Sequence, residues 1–169
     1  MTVVVIGVGN DSRGDDAAGL EVARCVRQRR RLAVRTCSGD ALELLELWQG
    51  ASAAVVVDGV RSNSPPGTIH RLDASSGPLP ETLRGASTHS FGVAGAIELA
   101  RALWRLPESV IVYGVEGCRF GREPGLSPAV AAAIEPLTRS VLEEAGRLTT
   151  APVRARAGRR RSMTRSTSR

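Results

Sequence analysis

Val3-Val4-Val5-Ile6-Gly7-Val8-Gly9-Asn10-Asp11-Ser12-Arg13-Gly14-Asp15-Asp16-Ala17-Ala18-Gly19 opens the chain and decides its fold. Four β-branched residues running into glycine predict a buried strand over 2–7, and the segment after Gly14 predicts a helix over 15–30. A dinucleotide-binding fold begins the same way, with the pyrophosphate resting on free N–H groups at the helix N-terminus. Here the interval from Gly9 to Gly14 is longer than that fingerprint allows, and Asp15 and Asp16 stand where the anion would lie. Carboxylates at that position gain about 0.3–1 kcal/mol from the helix dipole and repel a phosphate. Asp15 therefore reads as the cap of the helix. Asp16, beside a glycine-rich loop, reads as a residue facing a cation.

Outward from this unit, strand signals recur at 33–37, 53–58, 67–72 and 109–115, with helical signals between most of them. Apolar residues fall at helical spacing as Leu20, Ala23 and Val26 in the first helix and as Leu42, Leu45 and Trp48 over 41–49. Val93, Ile97, Ala100 and Trp104 do the same over 90–105, and Val130, Ile134, Leu137 and Val141 over 127–148. Ser127 followed by Pro128 marks the last helix start, and Gly146 lies near its end. Strands alternating with helices imply right-handed crossovers and a three-layer α/β/α sandwich around a mainly parallel twisted sheet of about five strands. Thr68 to Leu72 alternates like a short edge strand, antiparallel to the rest. The Ser-, Gly- and Pro-rich connection over 73–88 has the length of a lid or binding loop.

Composition fits a single globular domain over 1–150: 42% of the 169 residues are apolar and 24% charged. No run approaches the length of a membrane span, and Met1-Thr2 leads into a strand without a basic-then-apolar leader, so a cytoplasmic location is expected. Cys25, Cys37 and Cys118 are too few and too scattered for a disulfide framework or a zinc knuckle, and read as reduced, mostly buried thiols. All 23 basic residues are arginine, and the formal charge of +6 comes from the tail: seven arginines and no acid lie in 152–169, leaving −1 for the rest. The folded part is thus no specific nucleic-acid binder, and the Arg-rich tail over 151–169 reads as disordered.

In an open parallel sheet, ligands bind outside the carboxyl ends of the strands, where strand order reverses. Three polar residues fall at such places: Asp16 after the first strand, Asp58 at the end of Ala53-Ala54-Val55-Val56-Val57-Asp58, and His89 before the helix entered at Ser90-Phe91-Gly92. A charge ending an apolar strand must be paired, hydrogen-bonded or cation-bound; an aspartate accepting N–H bonds in the next turn is the plainer alternative for Asp58. A lone loop histidine is as readily structural as a ligand. Two carboxylates and one imidazole at one edge suit a divalent first-row ion with open coordination positions.

With these residues in order, the chain resembles the hydrogenase maturation endopeptidases, which trim the C-terminal extension from the large subunit of nickel-iron hydrogenases. The resemblance spans roughly 2–148. It rests on Gly7, Gly9, Asn10, Asp15, Asp16 and Gly19, then the strand ending in Asp58, then Thr88-His89-Ser90-Phe91-Gly92, then Gly114-Val115-Glu116 with Gly125-Leu126-Ser127-Pro128. It implies a twisted sheet between helices, and a nickel-recognition set mapping onto Asp16, Asp58 and His89. The nickel would arrive already held by the large-subunit precursor, so that only metal-loaded precursor is cut by a protein acting as a monomer. Oxygen and nitrogen ligands without thiolate hold nickel without retaining it.

Ordinary protease machinery is missing from the sequence: no persuasive Ser-His-Asp order, no H-E-x-x-H helix, and no histidine beside Cys37 or Cys118. Metal-assisted attack by water on the scissile carbonyl is the expected mechanism. Asp40, after the second strand in Cys37-Ser38-Gly39-Asp40, stands either as a group orienting peptide or water or as the cap of the helix over 41–49. Two rivals remain open. A non-enzymatic nickel-binding maturation chaperone would share the three ligands without a peptide groove. A nucleotide-binding α/β module is disfavoured by the Asp15-Asp16 pair and by Cys37, which stands where a ribose-binding acid would end the second strand.

Overall fold

A computed structural model of the chain describes residues 2–80 and 92–150. Its middle layer is a sheet of β1 (Val3–Val8), β2 (Ala33–Cys37), β3 (Ala53–Val60), β4 (Ile69–Asp73) and β5 (Ser109–Glu116), in the order β2-β1-β3-β5-β4. Every pairing is parallel except that of edge strand β4 with β5, as its short alternating sequence predicted. The helices are α1 (Ala18–Arg29), α2 (Ala41–Leu47), α3 (Gly92–Ala102) and α4 (Pro128–Thr150).

Side chains alternate across a strand, so each central strand feeds two cores. Val3 and Val5 of β1, with Val55 and Val57 of β3, pack against Val22 and Val26 of α1 and Leu137 and Val141 of α4. Val4, Ile6 and Val8, with Ala54 and Val56, pack against Leu44, Leu45 and Trp48 around α2 and Val93 and Ile97 of α3. Continuous apolar runs in β1 and β3 are the signature of this double burial, and the three-layer sandwich follows from it.

Three local readings differ from the structure. Residues 14–17 form a 3-10 turn before α1, because Asp15 N–H bonds to the Arg119 carbonyl, and no side chain caps that turn. Leu42 is 63% exposed and the buried face of α2 is Leu44, Leu45 and Trp48, since this short helix presents a different pair of its leucines to the sheet. Trp104 is 87% exposed: α3 stops at Ala102 and Trp104 takes a positive φ of 60°, which swings it off the helical face. The three cysteines are free, but only Cys37 is buried; Cys118 is exposed. The Arg-rich tail and His89 lie outside the described residues.

Candidate active site

β1 sends the chain through α1 to β2 on one side, and the chain returns through α2 to β3 on the other, so strand order reverses between β1 and β3. A crevice at the carboxyl end of such a pair is where open α/β sheets bind ligands. The β1–α1 loop folds back over this crevice, with Asn10 N–H donating to the Asp16 carbonyl at 3.2 Å. Glycines make the return possible. A Cβ on Gly9 would run into the Asp16 carbonyl, and one on Gly19 would meet the carbonyls of Val8 and Val57. On β3, a Cβ at Gly59 would lie 2.7 Å from the Asp15 carbonyl oxygen and 3.6 Å from Asp16 Cα. The bare backbone at Gly59 thus lets the turn carrying Asp16 press against the strand segment carrying Asp58.

Both carboxylates are out of solvent, Asp16 at 0% and Asp58 at 2% exposure. Asp58 is not the last residue of its strand. It pairs in register with Gly114 of β5, and β3 continues to Val60. One flank of Asp58 is a cavity of about 20 Å³ lined by Val60, Leu72, Val93 and Val112, room for little more than one water. Burial in these surroundings, reinforced by the charge of Asp16 and opposed by the Gly59 N–H, pushes the Asp58 carboxyl up to about 8. Among the described residues its Oδ1 has no hydrogen-bond partner. The two expected carboxylates are therefore neighbours at the switch point; His89 lies outside the described residues, and those alone contain no group of three or more metal-ligating side chains. Asp40 caps α2: its Oδ1 accepts from Leu42 N–H at 2.9 Å and Glu43 N–H at 3.0 Å.

Asp15 is not a helix cap but a clamp between loops. Its Oδ2 accepts the N–H groups of Cys118 and Arg119, each at 2.8 Å, and its Oδ1 accepts that of Ser127 at 2.6 Å. Burial would raise its proton affinity, yet the bonds from Ser127, Arg119 and Cys118 outweigh it and hold the carboxyl below the usual range. The clamp ties the β1–α1 loop to the β5–α4 loop, where Ser127 then opens α4 by accepting Ala131 N–H at its carbonyl. Sequence reading missed this role because the partners lie more than a hundred residues away.

Glu116, at the end of β5 and 2% exposed, does comparable work on the β3–β4 loop. It accepts the N–H and the Oγ–H of Ser62, both at 2.7 Å, while His70 Nε2 stands 3.5 Å from Glu116 Oε2 and from Ser62 Oγ. These residue types could suggest a hydrolytic triad. Their order excludes it: the imidazole does not bridge hydroxyl and carboxylate, because the hydroxyl donates straight to the acid. Cys37 is no nucleophile either, since burial pushes its thiol up to about 11.

Residues 38–144 match the family model described as hydrogenase maturation protease, more than half of the chain. The chain belongs to the hydrogenase maturation proteases. This family of peptide hydrolases includes relatives of moderate likeness. The Hydrogenase 2 maturation protease of Escherichia coli is 29% identical over 147 residues, covering 84% of this chain and 89% of that protein. The hydrogenase expression/formation protein HoxM of Cupriavidus necator is 26% identical over 118 residues, 68% of this chain and 58% of its own length, so the chain spans little more than half of that relative. Among solved structures, the hydrogenase maturating endopeptidase HybD from E. coli superposes with a TM-score of 0.69 at 26% identity, covering 85% of this chain and 91% of that one. Asp58 lies inside the stretch matched by the hydrogenase maturation protease model, and Asp16 precedes it.

Proposed function

We propose that the chain is the endopeptidase that removes the C-terminal extension of a nickel-iron hydrogenase large-subunit precursor once nickel has been inserted, acting as a monomer in the cytoplasm. The observation that supports it is the buried carboxylate pair, Asp16 and Asp58, at the switch point of a chain from this family. Asp58, buried and beside the charge of Asp16, holds its proton until a cation replaces it. A divalent ion carried in by the precursor relieves that repulsion, which gives the pair a physical reason to favour metal-loaded substrate. His89 serves as the third, nitrogen ligand and shifts preference from hard ions to a first-row ion such as nickel.

Held by Asp16, Asp58 and His89, the ion would supply Lewis-acid polarisation of the scissile carbonyl. Water would add to the carbonyl carbon, its proton passing to a carboxylate oxygen of the pair that the ion leaves free and from there to the leaving amine as the C–N bond breaks. Both cap bonds of Asp40 end on Oδ1, which leaves Oδ2 to orient the peptide or the water. The test offers the protein nickel-loaded and nickel-free precursor and follows the C-terminal fragment by mass spectrometry. The fragment is expected from loaded precursor only. Efficient cutting of nickel-free precursor rejects metal sensing, whereas stable binding of loaded precursor without any fragment identifies a nickel-binding chaperone instead.

A further inference from the structure

The loops joined by Asp15 enclose a cleft of about 470 Å³, with Asn10, Ser12 and Arg13 on one wall and Phe120, Gly121 and Arg122 on the other. The walls are pinned to each other through Asp15, whose own N–H donates to the Arg119 carbonyl at 2.7 Å and whose carboxylate takes the Cys118 and Arg119 N–H groups. Beside the cleft, on the segment after β3, Arg61 stacks its guanidinium on the Phe120 ring, 4.9 Å from the ring centroid. Stacking of this kind restrains a long side chain in advance of any ligand.

Three arginines in and beside the cleft stand outside the ion pairs of the described residues. Arg24, Arg29, Arg71, Arg101, Arg139 and Arg147 each meet a carboxylate. Arg13, Arg61 and Arg122 meet none among the described residues. Of the acids near by, Asp11 is engaged by Arg24 at 2.7 Å and Asp15 by three backbone N–H groups, while Asp16 and Glu123 are close in the chain to the two walls. One wall of the cleft belongs to the loop that carries Asp16: the Arg13 carbonyl accepts the Asp16 N–H, and Asn10 N–H donates to the Asp16 carbonyl.

We propose that this cleft receives an acidic stretch of the polypeptide substrate, with Arg13 and Arg122 binding its carboxylates and Arg61, stacked on Phe120, closing over them; the substrate's being a polypeptide rests on the protease reading above. At about 470 Å³ the cleft exceeds what a single small anion fills, and it is bounded by a ring and polar groups as well as by guanidinium groups, which suits a segment of chain. Planar guanidinium groups grip carboxylates with paired, charge-assisted hydrogen bonds. A segment held here enters beside Asp16, so docking and metal inspection are coupled by one loop.

The experiment measures binding by fluorescence anisotropy with the full chain, using a labelled Gly-Glu-Glu-Gly-Glu-Gly peptide, the same peptide with Gln for Glu, and a twelve-residue oligothymidylate, all at one salt concentration. The Glu peptide is expected to bind about tenfold more tightly than the Gln peptide. The double variant Arg13→Gln, Arg122→Gln is expected to reduce that preference to about twofold or less, with an unchanged circular dichroism spectrum. A control variant in the tail, Arg160→Gln with Arg161→Gln, is expected to preserve it. Equal affinity for the two peptides, an unaffected preference in the cleft variant, or an equal loss in the tail control overturns the proposal. So does tighter binding of the oligonucleotide lost in the same cleft variant, which assigns the cleft to nucleic acid. Binding is read without cleavage, so intact peptide preference in a protein that cuts no precursor rejects the protease reading and leaves the cleft standing.

Discussion

Asp15 and Asp16 are adjacent in the chain and equally buried, and it is Asp15 whose hydrogen bonds define a structural task. Asp15 is satisfied by three backbone N–H groups from a distant loop, and removing it strands those donors in the interior. Asp15→Ala is expected to lower unfolding free energy by about 2–4 kcal/mol, read as a shift of the urea midpoint. Asp58 is the opposite case, since burial disfavours its charge and no described residue bonds its Oδ1. Asp58→Asn keeps the shape and removes the charge, and is expected to abolish precursor cleavage while raising stability at pH 8 by about 1 kcal/mol or more. Unchanged processing by that variant would show that Asp58 takes no part in the reaction.

At the level of elements, helix α2 tests whether Asp40 acts only on its own backbone. Loss of an N-cap costs about 1 kcal/mol. Asp40→Ala is expected to show that loss in thermal unfolding and a further drop in kcat on nickel-loaded precursor; full kcat in a destabilised variant leaves the residue as a cap and nothing more. The packing of α1 on the strands is more demanding. Gly19 sits where a methyl group would meet two strand carbonyls, Val8 and Val57, neither of which can yield without breaking the sheet. Gly19→Ala is therefore expected to cost about 2 kcal/mol or more, or to prevent folding, and solubility and circular dichroism read the difference.

Across the whole molecule, opposing carboxyl groups shape the response to pH. Asp15 and Glu144 have depressed proton affinities, despite burial, because of Ser127, Arg119 and Cys118 in the first case and Arg71, Tyr113 and Arg147 in the second. Their contribution is present above the ordinary values of 3.8 and 4.5 and is lost as pH falls through their lower folded values. Asp58 has the reverse sign: the folded state binds its proton more tightly than the unfolded state, so stability declines as pH rises from 3.8 towards about 8. Chemical denaturation across pH is thus expected to show a maximum near the ordinary carboxyl values of 3.8 and 4.5, and Asp58→Asn to flatten the decline above them. Deleting 152–169 removes seven arginines and none of the described residues that form the two cores. Stability is expected to stay within about 0.5 kcal/mol, and cleavage to persist with only a salt-sensitive loss in association rate.

The order of strands and helices was legible in the chain itself because burial on both faces leaves unbroken apolar runs, as in Val3 to Val8 and Ala53 to Val57, and these depend on neighbours close in sequence. Asp58 was legible for the same reason, as a charge interrupting such a run. Local periodicity failed where a helix was short or ended early, at Leu42 and Trp104, because one residue of rotation there exchanges the buried face for the exposed one. The work of Asp15 and of Glu116, and the cleft between the two loops, were decided by tertiary structure alone. A carboxylate near a helix start has the same local sequence whether it caps its own helix or a loop a hundred residues away. Only the folded backbone determines which N–H groups reach it.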